Sequence, residues 1–240
     1  VLLTQTRSDN HASPSKLRLM RLGPLLLTLT LAASAQELHH GKKHPNPHHA
    51  RSAAEWERVL ENPARDAWQK PAQVVEALNI QRGQSVADIG AGTGYFSVRL
   101  AQAVGNDGKL YAVDVQQDLI DHLAARAKEA NLPQLIPTLG AFDAPKLPAE
   151  SLDLIFICDV VHHIENRPAY YAKLAAALKR GGRLAIVDFY KRDLPVGPAP
   201  PMKIARDAMI EELRQAGFSL VQEHKFLSHQ YFLVFQPGWQ

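Results

Sequence analysis

Three glycines at alternate positions, Gly90, Gly92 and Gly94, are framed by two carboxylates, Asp88 just before them and Asp114 20 residues after the last. The run VADIGAGTGYFS (86–97) passes from an apolar stretch into a helical pattern. Glycine in such a turn lets the backbone adopt φ > 0 and approach a ligand closely. The helix that follows offers free amides to a polar or anionic group. A carboxylate at the end of the next strand can accept from both hydroxyls of a ribose. Together these residues describe a site for an adenosine-bearing cofactor. The spacing narrows the kind: a dinucleotide fingerprint needs Gly or Ala at position 95, which is Tyr95, and no Gly-Lys-Ser/Thr marks a P-loop.

A second cluster, Asp159, His162 and His163, follows an apolar run ending at Cys158. These are the candidates for a general base, needed only where an acceptor has a proton to lose. The pair reads as opening the next helix, where neighbours point about 100° apart, so at most one faces a pocket. Packing or capping is the alternative role. A third cluster, His39, His40, His44, His48 and His49, holds five of the eleven histidines. Imidazoles at that density can take up Zn, Cu or Ni weakly. With no acidic or Cys partners to set geometry, the tract also reads as a solvated linker, and no metal ligand is assigned.

The elements that must position these groups alternate. Helical patterns cover 52–62, a stretch opened by Pro71, 95–104, 119–130, 167–180 and 204–216, the last stopped by Gly217. Strand patterns cover 85–89, 109–114, 135–139, 152–158 and 183–188, the last set off from its helix by Gly181-Gly182. Two final strands, 218–226 and 231–235, are joined too tightly for a crossover and must be antiparallel. The fold class is α/β: a three-layer, Rossmann-like sheet of seven strands, mostly parallel, with one antiparallel strand near the C-terminus. The segment 190–202, with Pro195, Pro198, Pro200 and Pro201, cannot be regular and is a candidate substrate lid, as are the N-terminal helices with Trp56 and Trp68. Trp68 reads equally as a pocket residue or as a structural one.

In DIGAGTG (88–94), AVDV (112–115), FICDVVHHI (156–164) and LKRGGRLAIVDF (178–189), the chain resembles the class I S-adenosylmethionine-dependent methyltransferases, in particular their small-molecule and quinone-methylating "type 11" branch. The resemblance covers roughly residues 70–240. It implies S-adenosylmethionine as cofactor. Gly90, Gly92 and Gly94 would line its methionine and ribose portion, and Asp88 would reach its amino group. Asp114 would hold the ribose hydroxyls, Val115 would lie beside the adenine, and Asp159 would face the methyl end. Many members carry an acid directly after the glycine that ends strand three. Here Ala141 follows Gly140, and Asp143 is the nearest acid for the adenine contact.

Composition bounds the partners. The chain has 240 residues, enough for one domain with short appendages, and a single Cys excludes a disulfide framework or an all-Cys zinc site. Residues 1–35 hold Arg7, Lys16, Arg18 and Arg21 against Asp9 alone, and the rest balances at 23 basic and 23 acidic side chains. The basic character belongs to the leader, which removes the argument for nucleic acid. Residues 20–35 read as a signal peptide: a basic start, a short apolar core at 25–32 and the small-x-small site Ala33-Ser34-Ala35. Residues 1–19 then read as a start-site artefact, 36–52 as a His-rich linker and 53–240 as the methyltransferase domain, periplasmic or secreted, with no stable membrane insertion after cleavage. The leading function is methyl transfer to a small, quinone- or lipid-like acceptor. A non-catalytic, cofactor- or metal-binding envelope protein on the same fold is the alternative, disfavoured by the intact glycine loop.

Overall fold

The computed structural model describes residues 51–238. The leader and the histidine tract lie outside the described residues. Strands β1 (Ser85–Ile89), β2 (Lys109–Asp114), β3 (Leu135–Leu139), β4 (Leu152–Cys158) and β5 (Leu178–Phe189) pair in parallel, and β6 (Phe218–His224) and β7 (Gln230–Pro237) complete one sheet of order β3-β2-β1-β4-β5-β7-β6. β7 runs antiparallel to both β5 and β6 and is the reversed strand expected from the tight last connection.

Both faces of the central strands are covered, which is why their sequences are almost wholly apolar. Val86, Leu154, Phe156 and Val187 point to one side and pack with α3 (Pro71–Ala77), α4 (Ser97–Val104) and α5 (Gln117–Glu129). Ala87, Ile155, Ile157 and Ile186 point to the other and pack with α6 (Arg167–Ala177) and α7 (Arg206–Gln215). The period-2 alternation of strand side chains produces this split. Chain order runs outward from β1 to β2 and β3, then resumes on the opposite side at β4. Such a reversal opens a crevice at the carboxyl ends of β1 and β4.

Three local readings change. Gly181 and Gly182 do not end a helix. α6 stops at Ala177 and β5 begins at Leu178, with the glycines inside the strand where its register against β4 shifts. Gly181 has φ 81°, and a Cβ on Gly182 would lie 2.8 Å from the Leu152 carbonyl oxygen, so the pair forms a bulge that only glycine fits. His162 and His163 do not open α6; they lie in a separate 3₁₀ turn, Val161–His163. An additional helix, α2 (Ala64–Gln69), sits between α1 (Ala53–Leu60) and α3. Asn62 Oδ1 accepts from the Ala64 amide at 2.9 Å at its start, and Lys70 at φ 47° lets α3 follow at once.

Phe156 is fully buried in the middle of the sheet. Phe156→Ala is expected to cost about 3–5 kcal/mol in urea unfolding, whereas Val221→Thr, half exposed on β6, is expected to change stability by less than about 0.5 kcal/mol.

Candidate active site

The turn after β1 is held by β2. Gly90 and Ala91 amides donate to the Val113 carbonyl at 2.8 and 2.9 Å. Asp114 accepts from the Gly92 amide at 2.9 Å through Oδ2, and from Val115 and Gln116 amides at 2.7 and 3.2 Å through Oδ1. Three of the roughly four acceptor sites of that carboxylate are thus taken by backbone, which orients it and leaves capacity for a further donor. Burial raises its pKa, against the pull of those amides. Asp88, 3% exposed, accepts from Ser97 Oγ at 2.6 Å. Burial lifts its pKa to about 7, opposed by the Ser97 bond.

A cavity of about 710 Å³ opens over this turn and takes in Asp88, Gly90, Gly92, Asp114 and Val115. Positive φ at Gly90 (73°) and Gly92 (56°) makes the turn possible. Two expected residues are placed elsewhere. Gly94 faces α5: a Cβ there would lie 2.9 Å from Leu123 Cδ2, so the glycine serves helix packing and does not line the cavity. The Asp143 side chain is 81% exposed and pairs with Lys173 at 3.3 Å, away from the cavity. Ala141 and Phe142 form that part of the wall instead. The physical reason is the short turn Ala141–Ala144, closed by reciprocal backbone bonds of 2.7 and 3.1 Å.

Asp159, His162 and His163 line the same cavity from the β4 side. The expectation that only one histidine could face it fails, because the 3₁₀ turn brings both rings to the cavity, 4.1 Å apart. His162 has a built environment. Its Nδ1 lies 3.0 and 3.1 Å from the two oxygens of Asp188, which is fully buried and also accepts from the Phe189 amide at 2.8 Å. A carboxylate on Nδ1 places the proton there and leaves Nε2 as the acceptor. Burial works against protonation of His162, but the bond to Asp188 and its charge prevail and raise the pKa.

Asp159 sits in the left-handed region at φ 60°, a conformation that a non-glycine residue keeps only when its surroundings enforce it. Its amide donates to the Val187 carbonyl at 2.9 Å, and its carboxylate accepts from Gln230 Nε2. Burial raises its pKa to about 7, opposed chiefly by Arg65. Gln230 in turn accepts from Gln69 Nε2 at 2.7 Å, which also reaches Cys158 Sγ at 3.2 Å. Burial pushes the Cys158 thiol up, which keeps it protonated and unreactive.

The outer walls are apolar. Trp68 lines the cavity with its ring 5.7 Å from that of Phe189, and Trp56, Leu60 and Met202 complete the entrance. The proline-rich segment contributes Gly197 and Pro198. Gly197, at φ 86°, lies flat on Phe189, where a Cβ would come within 2.6 Å of the ring. Among the described residues, no group of three or more His, Cys, Asp or Glu could hold a metal ion, and no helix is long and apolar enough to cross a membrane.

The sheet order with its reversed β7 and the glycine turn at the β1–β4 crevice now stand beside known proteins. Over 77% of this chain and 98% of its own, the structure of a SAM-dependent methyltransferase from Aquifex aeolicus superposes with a TM-score of 0.72 at 22% identity. The fold is a methyltransferase fold. A TehB-like SAM-dependent methyltransferase from Corynebacterium glutamicum aligns over 80% of this chain and all of its own, with a TM-score of 0.60 and 19% identity. Residues 86–182 match the family model described as a methyltransferase domain. Among curated relatives, the 27-O-demethylrifamycin SV methyltransferase of Amycolatopsis mediterranei is 28% identical over 146 residues, 60% of this chain and 50% of that protein. The demethylmenaquinone methyltransferase of Listeria welshimeri is 25% identical over 129 residues, 53% of each. The matched region thus spans about half the length of these relatives.

S-adenosylmethionine is the cofactor named for the solved neighbours, and the residues lining this cavity fit it. Asp88 and Asp159 would answer its two cationic groups, and the pre-oriented Asp114 would take its ribose diol. Four residues of the site had no place in the sequence reading: Asp188, Arg65, Gln69 and Gln230. Asp188 left a trace, as the one charge inside the apolar run LAIVDF (184–189). Arg65 and Gln69 are neighbours on α2 and meet Gln230, far along the chain, only through the fold.

Cationic ligands favour ionised acids, and Asp88 and Asp159 take up protons near pH 7. Affinity for S-adenosylmethionine is therefore expected to fall below that pH, by up to about tenfold per pH unit for each acid. Calorimetric titrations at pH 6 and 8, in buffers of different ionisation enthalpy, would show the loss and the proton release on binding.

Proposed function

We propose that the chain is an S-adenosylmethionine-dependent methyltransferase for a small, largely apolar acceptor bearing a proton that must leave on methylation. The observation that supports this most is the continuity of one cavity from the Asp114 turn to His162, whose Nδ1 is bonded to the buried Asp188. When bound, the cofactor supplies an electrophilic methyl on an already activated sulfonium. The protein's work is therefore orientation, worth about 7–11 kcal/mol when two reactants are well aligned. Asp114, Asp88 and the glycine turn hold one reactant. Trp68, Phe189 and Met202 offer the other a flat apolar surface and exclude water. His162 Nε2 accepts the acceptor's proton, and Asp188 steadies the resulting imidazolium, a contribution of about 10²–10⁴ in rate. The relatives named for a demethylrifamycin and a demethylmenaquinone support a small-molecule acceptor of quinone- or lipid-like character.

The leader pattern at 20–35 supports export, so the proposed location is periplasmic or secreted, with the histidine tract as a weak metal-binding appendage. Fractionation of the native host is expected to show a cleaved, exported protein. A full-length cytoplasmic product would overturn export and leave the enzyme beside its cofactor supply.

Calorimetry on the full chain tests the cofactor site: micromolar binding of S-adenosylmethionine is expected, lost in Asp114→Ala. A folded wild type that does not bind would favour the non-catalytic reading. With an acceptor found by screening, His162→Ala is expected to lower kcat about 10²–10⁴-fold while cofactor affinity is retained.

A further inference from the structure

The guanidinium of Arg65, on α2, is held in place with part of its hydrogen-bonding capacity unused. Nε–H donates to Gln69 Oε1 at 3.1 Å and Nη1 to the Leu60 carbonyl at 3.0 Å. Nη2 stands 3.6 Å from Asp159 Oδ2, beyond hydrogen-bond reach. The group lies over the Tyr95 ring at 4.0 Å, is only 12% exposed and lines the cavity. Its charge lowers the pKa of both Asp88 and Asp159, so it lies in the field of each. The ion pair with Asp159 therefore leaves hydrogen-bonding capacity on the guanidinium edge, which a further anion could use.

The charges of the site show which anion. At neutral pH S-adenosylmethionine carries an ammonium, a sulfonium and a carboxylate. Two guanidiniums line the cavity: Arg51 is exposed and lies over the Trp56 ring at 5.0 Å, whereas Arg65 is nearly buried and acts on both Asp88 and Asp159. With Asp88 and Asp159 answering the two cations, the buried guanidinium beside them, Arg65, is the partner for the carboxylate. We propose that Arg65 anchors the carboxylate of the cofactor's amino-acid end, and is the residue by which the site recognises that end. This rests on the methyltransferase reading of the cavity. The rigid fork of Arg suits a carboxylate in a way that the Lys ammonium does not. Three fixed supports, Tyr95, Leu60 and Gln69, pre-organise that fork before any ligand arrives.

The test uses the full chain and two probes, S-adenosylhomocysteine and its decarboxylated analogue, which keeps the ammonium. The wild type is expected to prefer the former by about ten- to a hundredfold, the usual range for bonds to a charged group. Arg65→Ala is expected to erase that preference by weakening only S-adenosylhomocysteine, and Arg65→Lys to leave an intermediate preference. Equal affinity of the wild type for both probes would overturn the assignment, and so would an equal loss for both in the variants, which would mark Arg65 as a structural support. The wild-type comparison decides even where Arg65→Ala fails to fold. Binding of neither probe to the folded wild type would overturn the cofactor reading itself, and this assignment with it.

Discussion

Four carboxylates stand along the carboxyl edge of the sheet, on or just after the neighbouring strands β2, β1, β4 and β5: Asp114, Asp88, Asp159 and Asp188. Like charges so close, and so removed from water, cannot be left bare. Each has its own compensation. Asp114 takes three backbone amides, Asp88 the Ser97 hydroxyl, Asp159 the Gln230 amide and the field of Arg65, and Asp188 the His162 imidazole and the Phe189 amide. The apolar strands beneath leave these acids no alternative conformation, because a register slip would turn the core outward. The rest of the upper face follows from this constraint.

One consequence is the way the amino-terminal helices are fixed. α1 buries none of its own side chains. It is tied down by polar contacts at its ends. The Ala53 amide donates to Asp118 Oδ2 at 3.0 Å, and Glu61, just past the helix, accepts from Thr93 Oγ1 at 2.8 Å and from Arg126. Burial would raise the Glu61 pKa, but the Arg126 and Thr93 bonds outweigh it and hold the carboxyl below its usual range. Arg126 also donates to the Thr93 carbonyl at 2.8 Å, so one side chain secures both the roof and the glycine turn. Leu60 lies over Gly92, where a Cβ would come within 2.9 Å of it. The roof closes onto the turn because glycine leaves it room, which gives Gly92 a packing role besides its place in the cavity wall.

The acids differ in what they can do, and their surroundings explain it. Asp88 and Asp159 titrate near neutrality because burial outweighs their single strong donors. Asp188 is directed at a histidine. Its contact sets the tautomer of His162, which lines the same cavity as Asp114. Apolar walls of that cavity, Phe189 and Trp68 among them, raise the strength of every charge interaction inside.

The alternation of apolar runs with helical patterns, read on the sequence alone, determined the α/β class, seven strands and a reversed strand near the end, because pattern period is a local property of the chain. The glycine spacing and Asp114 likewise marked the turn that lines the cavity, since strand, turn and helix are contiguous there. Gly94 and Asp143 were misplaced for the opposite reason. Whether a glycine faces a ligand or a neighbouring helix, and whether a loop acid points in or out, depends on what packs against it, here Leu123 and Lys173. The histidine pair was read on an extended helix, and a single 3₁₀ turn changed which rings face the cavity. Arg65 and Gln69 on α2, Asp159, Asp188 and Gln230 come from four distant segments, and no local pattern joins them. Only the folding of the sheet, which brings the ends of β4 and β5 and the start of β7 under α2, decided that they form one site.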